Sequence, residues 1–588
     1  MTIALYNRII SEIRNTLKLV YEQDYQKALK DIEELIQKYG ASENLEKTSF
    51  KNSEAFVFAA PNVLEGGAAK PLENLLNFVQ ENCADLFSTL HVLPFCTATQ
   101  PNSTAIIDFK AADPKIGSFN DFIKQNYDFK LMADIELNHV SSRSPWLQCY
   151  LDDVEGYENL FMTSWQDFDY NNVYSDGHQP YFDHQQKVHH GKPLLLLSTF
   201  GEGVVDLNYG DYHTFIRMLD VILFYATQNF AALRLLDAEF IWKDINFEWE
   251  GHFKGHNLLK IIRLVMDIVN PDIALAVANP RKRGTAFSYL GSGRDEMQFI
   301  YNEALPALLL HAMLNGNSRR LSRWVLSLET GSTFTSLLNA TASYDEIDLR
   351  PLEGVLPKAS IESLARHALE NNGVVEYYQN PEGIKAPAKL HIGYMDALRK
   401  KGDNDDLTIS RFMASQAIQA VLPGITTVYL HSLLGSTNYA GPPKEEMPKW
   451  VMSTHKSLDA DEVMRELNTP GSFRARVFDA YGNMLKIRNA QPAFNPRSGF
   501  EVAVIDPSVF ALRRYALKQT IWTFTNTSGG YRRVSLDSLG YFADFVDLLT
   551  GREFKSNQIE LGPYEFLWLT PKNGGDRLPK AGPMPLGD

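Results

Sequence analysis

Three stretches of the chain carry residues that could act on a sugar. The first, FAALRLLDAEFIWK at 230–243, holds Arg234, Asp237 and Glu239. The second, ADIELNHVSSRSPW, holds Asp134, Asn138, His139 and Trp146. The third, LLNATASYDEIDLRPLEG, holds Tyr344, Asp345 and Arg350. Paired carboxyl groups can attack or protonate a glycosidic bond, one as nucleophile and one as acid. Each stretch is weak alone, because an Asn-His pair in a loop more often serves structure than chemistry. Their order along the chain and their setting at strand ends give them weight.

Spacing limits what the first stretch can do. Side chains alternate along a strand, so Arg234 and Leu236 share a face and Asp237 points to the other. A local bulge would be needed to return Asp237 to the face of Arg234. Glu239 shares the face of Asp237, and would reach the same site only if the strand turned at its end.

These residues need elements to hold them. Short apolar segments recur through the chain: AFVFAAP, STLHVLPF, KLMADIELN, AALRLLDA, IALAVAN, MQFIYNEA, FTSLLNATAS and ITTVYL. None alternates cleanly, as expected of parallel strands buried on both faces. Helical patterns such as PLENLLNFVQENC and HTFIRMLDVILFYATQ lie between them. About eight such units predict an α/β chain folded as a (β/α)8 TIM barrel, with catalytic groups at the C-terminal ends of the strands. The barrel is expected over 51–495, with an inserted segment at about 145–205 rich in Asp, Tyr, His and Gly. Residues 1–50 read as helical, stopping at Gly40. Runs such as VFALRRYAL and TIWTFTNTS predict a small antiparallel β domain over 496–572, followed by a Gly/Pro-rich tail at 573–588.

The 588 residues carry a net charge of −14 and are 44% hydrophobic, enough for a large core. The mixed charge argues against a nucleic-acid binder, which clusters Lys and Arg. Cys83, Cys96 and Cys149 form no C-x-x-C pair and no disulfide framework, and read as buried thiols in a reducing compartment. The start of the chain lacks the apolar core of a secretory signal. The longest uncharged run, Phe412 to Pro443, is broken by Pro423-Gly424 and polar residues, so no membrane span is expected. A cytoplasmic protein is the expectation.

Longer motifs carry a resemblance. LHVLPF, IIDFKAADPKIGSFNDF, LMADIELNHVSSRSPW, STFGEGVVDLNYGD, DEMQFIYNEALPALLLHAML, FMASQAIQAVLPGITTVYLHSLLGSTN and RVFDAYGNMLKIRNAQPAF span nearly the whole chain. With them the chain resembles glycoside hydrolase family 13, the α-amylase superfamily, and within it the sucrose and glucosylglycerate phosphorylases. The resemblance implies retaining glycosyl transfer to phosphate by an Asp nucleophile, a Glu general acid/base and a second, stabilising Asp. It implies a B-type loop domain after the third strand, no metal and no cofactor.

Against that pattern the chain departs at its most important positions. The register set by Arg234, Trp242 and Lys243 puts Leu236 at the nucleophile position. Alignment of the fifth strand puts Ala278, or Val277 in a shifted register, at the acid/base position. No carboxylate lies between Asp272 and Asp295. Asp345 is kept as the stabiliser, but Tyr344 stands where the family has His. Asn102, Val204 and the stretch around Thr454 depart as well. The expectation is therefore a catalytically inactive chain, a pseudoenzyme with a sugar-binding or regulatory role. Asp134, His139, Arg234, Tyr344 and Asp345 would line its pocket, for a small sugar, a sugar phosphate or a protein partner. The alternative is an active retaining phosphorylase or hydrolase on an α-glucoside, using relocated carboxylates such as Asp237 or Glu239. A third reading has Arg281-Lys282-Arg283 bind a phosphorylated or carboxylated ligand at the barrel mouth. No metal-ligand cluster is visible, and neither nucleic acid nor membrane is an expected partner.

Overall fold

The computed structural model describes all residues except 1–2, 44–53, 100–102, 124–125, 164–180, 190–191, 245–248, 278–285, 329–331, 333, 343–345, 380–383, 439–456, 517, 537–538, 540–543, 556–557 and 573–588. Eight parallel strands close into a barrel: β1 (Ala55–Ala59), β2 (Thr89–Val92), β3 (Lys130–Glu136), β4 (Ala232–Leu236), β5 (Ala274–Val277), β6 (Phe299–Tyr301), β7 (Ser336–Asn339) and β8 (Ile425–Tyr429). Each lies within one of the eight apolar segments read from the sequence. Their continuous hydrophobicity has a simple cause. One row of side chains fills the barrel, and the other packs under the surrounding helices. The inner row includes Phe56, Met132, Ala232, Ala276, Phe299, Tyr301, Leu338 and Ile425. Leu233 and Leu235 of β4 face outward into the larger core.

Among the described residues, two helices precede the barrel, α1 (Ile3–Tyr21) and α2 (Tyr25–Tyr39). They bury Ile9, Ile13, Leu17, Ala28 and Ile32 at helical spacing. α2 ends on Gly40, whose N–H bonds to the Ile36 carbonyl with φ +84°. Gly424, in the Pro-Gly break before β8, is a second position that demands glycine. Its φ is +116°, and a Cβ there would stand 2.7 Å from the Leu337 carbonyl oxygen.

Between β3 and β4 the described residues include a short helix, Pro145–Leu151, and an antiparallel pair, Tyr181–His189 with Lys192–Ser198. After β7 a helix, Lys358–Glu370, leads to a hairpin of Val374–Gln379 and Lys385–His391, which pairs with Ile347–Asp348. A six-stranded antiparallel sheet closes the chain, led by β9 (Gly499–Asp506), β10 (Val509–Ala516) and β11 (Gln519–Asn526). It is amphipathic in two directions. Phe510, Leu512, Ile521 and Trp568 join the main core, while Val509, Ala511, Trp522 and Phe524 form a separate one. Among the described residues, no helix is long and apolar enough to cross a membrane.

Candidate functional site at the barrel mouth

β3 and β4 run side by side in unbroken register, with Arg234 opposite Asp134 and Leu236 opposite Glu136. That register delivers Arg234 to Asp134 as a bidentate pair, Nε to Oδ1 at 2.8 Å and Nη2 to Oδ2 at 2.7 Å. His91 of β2 adds a third contact, Nε2 to Asp134 Oδ1 at 2.6 Å, and its Nδ1 lies 2.7 Å from the Tyr301 hydroxyl. The Arg234 guanidinium sits 5.0 Å over the Tyr301 ring. Burial alone would push the Asp134 carboxyl up, but Arg234 and His91 outweigh it and hold it at about 2. Burial lowers the basicity of His91. The floor of the site is thus a fixed ionic pair flanked by a histidine and a tyrosine.

Leu236 stands on this inner face, 9% exposed, beside a cavity also lined by Asp134, Glu136, Phe95 and Tyr225. There is no bulge in β4. The sequence predicts that Asp237 turns away, and the structure corrects this. Asp237 takes a left-handed conformation, φ 49° and ψ 27°, directly after the last strand residue. That turn brings its carboxylate to Glu136 and His139, with candidate ligand atoms of the three residues within 4.8 Å of one another. Glu136 is 2% exposed, and one of its oxygens accepts the Asn138 N–H at 2.8 Å. Burial, and then the charge of Asp237, push its carboxyl well above the ordinary range. Burial lowers the basicity of His139.

Lys243 completes this side of the mouth. Its ammonium is fully buried and reaches Asn138 Oδ1 at 2.5 Å, the Phe240 carbonyl at 2.8 Å and Asp206 Oδ2 at 3.3 Å. Asp206 comes from VVDLNY and also accepts from Thr199 and Asn138. Asn138 therefore ties the loop after β3 to the turn after β4. Trp146 lies against Phe109, ring centroids 5.5 Å apart, with Arg217 above it.

Other sequence candidates fall elsewhere. Glu239 is buried in the turn Ala238–Phe240, and its charge acts on Tyr289 together with Glu250 and Glu296, a different group of carboxylates from that of Asp237. Arg350 is held by Asp348, Nη2 to Oδ2 at 2.6 Å. Ala278, Tyr344, Asp345, Asn102, Thr454 and the run Arg281-Lys282-Arg283 lie outside the described residues.

Sequence reasoning passed over four mouth residues: His91, Glu136, Tyr301 and Glu303. Glu136 could have been found, since it is an acid at the C-terminal end of an apolar run, at the parity of the inward row; Glu303 falls past the end of β6, where alternation no longer applies. Nor does the sequence show a metal-ligand cluster, yet among the described residues the fold assembles two groups with suitable atoms: Glu136, His139 and Asp237, and Glu346, Glu376 and His391. A lysine already stands at each. The Lys243 ammonium acts on Asp237 and Glu136, and Lys389 lies 2.8 Å from Glu346.

Comparison with known proteins bears on what this mouth does. No family model matches the chain. It is 31% identical over 526 residues to a glucosylglycerate phosphorylase of Allomeiothermus silvanus, covering 88% of this chain and 91% of that protein. It is 27% identical over 525 residues to a glucosylglycerate phosphorylase of Escherichia coli, covering 89% of this chain and 93% of that one. Among solved structures, a sucrose 6F-phosphate phosphorylase from Thermoanaerobacter thermosaccharolyticum superposes with a TM-score of 0.69 at 18% identity, over 82% of this chain and 95% of that chain. An α-amylase from H. orenii gives 0.62 at 13% identity, over 89% and 100%. The structural neighbours share the barrel fold. Likeness along nearly the whole chain to proteins named as phosphorylases overturns the expectation of a catalytically inactive pseudoenzyme.

Proposed function

We infer, because this chain belongs to the sucrose and glucosylglycerate phosphorylase-like family of glycoside hydrolase family 13, that it is an active phosphorylase of an α-glucoside. The first substrate to test is glucosylglycerate, the glucoside in the names of these relatives. Its products would be glycerate and glucose 1-phosphate. A sugar phosphate made from free phosphate suits the cytoplasm, the compartment we assign to it.

The observation that carries this reading is the left-handed turn at Asp237. It supports Asp237 as the attacking carboxylate, one residue later in sequence than the family pattern. Asp237 would attack the anomeric carbon, and phosphate would open the resulting glucosyl ester, with net retention. Arg234 and Asp134 form a rigid floor for the sugar, since neither can move without leaving the other's charge buried and unpaired.

Purified protein is expected to release glucose 1-phosphate from glucosylglycerate in a phosphate-dependent reaction, and the product should be the α-anomer. Sucrose and glucosylglycerol serve as competitors to define the acceptor. Absence of phosphate-dependent release from all three at saturating substrate would sink the reading.

A further inference from the structure

The ammonium of Lys243 has three N–H bonds, and three acceptors take them: Asn138 Oδ1 at 2.5 Å, the Phe240 carbonyl at 2.8 Å and Asp206 Oδ2 at 3.3 Å. None is left for the group beside it, Glu136, His139 and Asp237. Oε1 of Glu136 accepts the Asn138 N–H, but Oε2 is buried without a donor. His139 is 1% exposed, and both of its ring nitrogens are buried without a hydrogen-bond partner. The Thr104 main chain acts on this ring but closes no hydrogen bond with it.

We propose that Glu136, His139 and Asp237 bind a divalent cation of the zinc class, and that an ion held there withholds Asp237 from the glucoside. The site stands by itself, while its effect on turnover rests on the phosphorylase reading above.

Charge is the first argument. Glu136, Asp206 and Asp237 supply three negative charges when ionised, and Lys243 supplies one positive charge among them. The excess matches one divalent ion. Asp134 stands outside this balance, because Arg234 holds it at 2.7 Å. A proton on Glu136 also relieves the two facing carboxyls, but it does nothing for the nitrogens of His139. A cation satisfies all three residues together.

The backbone sets the ligands in place. Glu136 ends β3, and Asp237 is delivered by the left-handed turn after β4. His139 opens the short strand His139–Ser141, which pairs antiparallel with Val204–Asp206 and sets His139 opposite Asp206. Its Nδ1 lies 3.4 Å from Glu136 Oε1. One ligand atom from each of the three residues falls within 4.8 Å of the others. Zinc takes carboxylate oxygen and imidazole nitrogen at about 2.0–2.2 Å, so small side-chain rotations close the shell. Burial lowers the basicity of His139 and keeps it the neutral imidazole that metals bind. Glu136 and His139 are buried and Asp237 is half-buried, so the group opens on the side of Asp237. Three protein ligands with one open position are a usual zinc arrangement. An ion there draws on the lone pairs of Asp237 that would otherwise attack the anomeric carbon. Zinc and the glucoside therefore exclude each other.

The test is calorimetric titration of the full chain, stripped with a chelator, by Zn²⁺ alone. Wild type should bind the ion saturably. Asp237→Asn and His139→Gln should each raise the Kd by at least about 10–100-fold, the loss seen when a residue merely supporting a ligand is removed. Asp237→Asn keeps the size of the side chain at a half-buried turn, and His139→Gln repeats the test from another element. Glu376→Gln, in the second group of potential ligands, should leave this binding in place. Zinc should raise the melting temperature of wild type and not that of Asp237→Asn. In the phosphorolysis assay, at zinc levels that phosphate does not precipitate, the ion should raise the apparent KM for the glucoside at unchanged kcat, and a chelator should reverse the effect. No saturable binding by wild type, or binding unchanged by both substitutions, overturns the site while phosphorolysis stands. Zinc bound at these residues without competing with the glucoside overturns the withholding of Asp237. A wild type inactive on every glucoside, with zinc binding lost in both variants, supports the site and overturns the parent reading.

Discussion

Three carboxylates, Glu136, Asp206 and Asp237, crowd around one buried ammonium, that of Lys243. Burial lowers the basicity of this lysine, and Asp206 opposes that effect. With Asp206 engaged by Lys243, Asp237 and Glu136 are left to repel each other, which is part of why Glu136 holds its proton. Asp237→Asn is therefore expected to act in two directions. Glucose 1-phosphate release should fall by at least about 10⁴-fold, since an amide cannot form the ester. The melting temperature should stay level or rise, because the new amide carries no charge and its oxygen can still accept the proton that Glu136 holds. A variant that keeps its activity would remove Asp237 from the mechanism. Glu303 carries a stability consequence as well. A carboxyl raised on folding stabilises the protein below its unfolded range, and that contribution is lost as pH rises through about 7. Glu303→Gln should therefore gain melting temperature relative to wild type at pH 8 and not at pH 4, in matched thermal scans.

At the scale of elements, the decisive feature is where strands end and helices begin. β4 stops at Leu236 because Asp237 adopts a left-handed conformation, and the turn Ala238–Phe240 follows at once. The helix Asp405–Val421, which leads into β8, starts on Asn404, whose side chain accepts the Leu407 N–H at 2.9 Å. Asn404→Ala removes that cap and should cost about 1 kcal/mol, read from urea unfolding, with activity unchanged. The barrel strands were legible because burial on both faces demands apolar residues throughout. The inner parity of Arg234 and Leu236 was legible for the same reason. The return of Asp237 was not. A non-glycine residue at positive φ leaves no mark in a pattern of alternation, although Asp is among the types that tolerate it.

Across the whole molecule, one buried arginine joins the barrel to the C-terminal sheet, and a second lies near it. Arg514 of β10 donates to the carbonyls of Val421 at 2.6 Å and Asn495 at 2.8 Å. Arg488 donates to Ala420 at 3.0 Å and Glu54 at 3.2 Å. Burial pushes Arg514 down to about 9, with Arg488 adding to the effect, and Arg488 down to about 10. Arg514→Ala removes this donor from the Val421 carbonyl and one of two from that of Asn495, which keeps the Ser498 N–H, and should destabilise the chain by about 3 kcal/mol, measured by urea unfolding. A near-neutral result would mean that the sheet is held by its apolar face alone, through Phe510, Leu512 and Trp568 against the core. By itself the sequence determined the barrel and its family resemblance, because apolar runs and local motifs are written in consecutive residues. Only the tertiary structure decided which acids stand together at the mouth, because Glu136 and Asp237 meet through strand pairing and one backbone turn. The proton on Glu136 depends on burial and on the charge of Asp237, and neither is a property of neighbours in sequence.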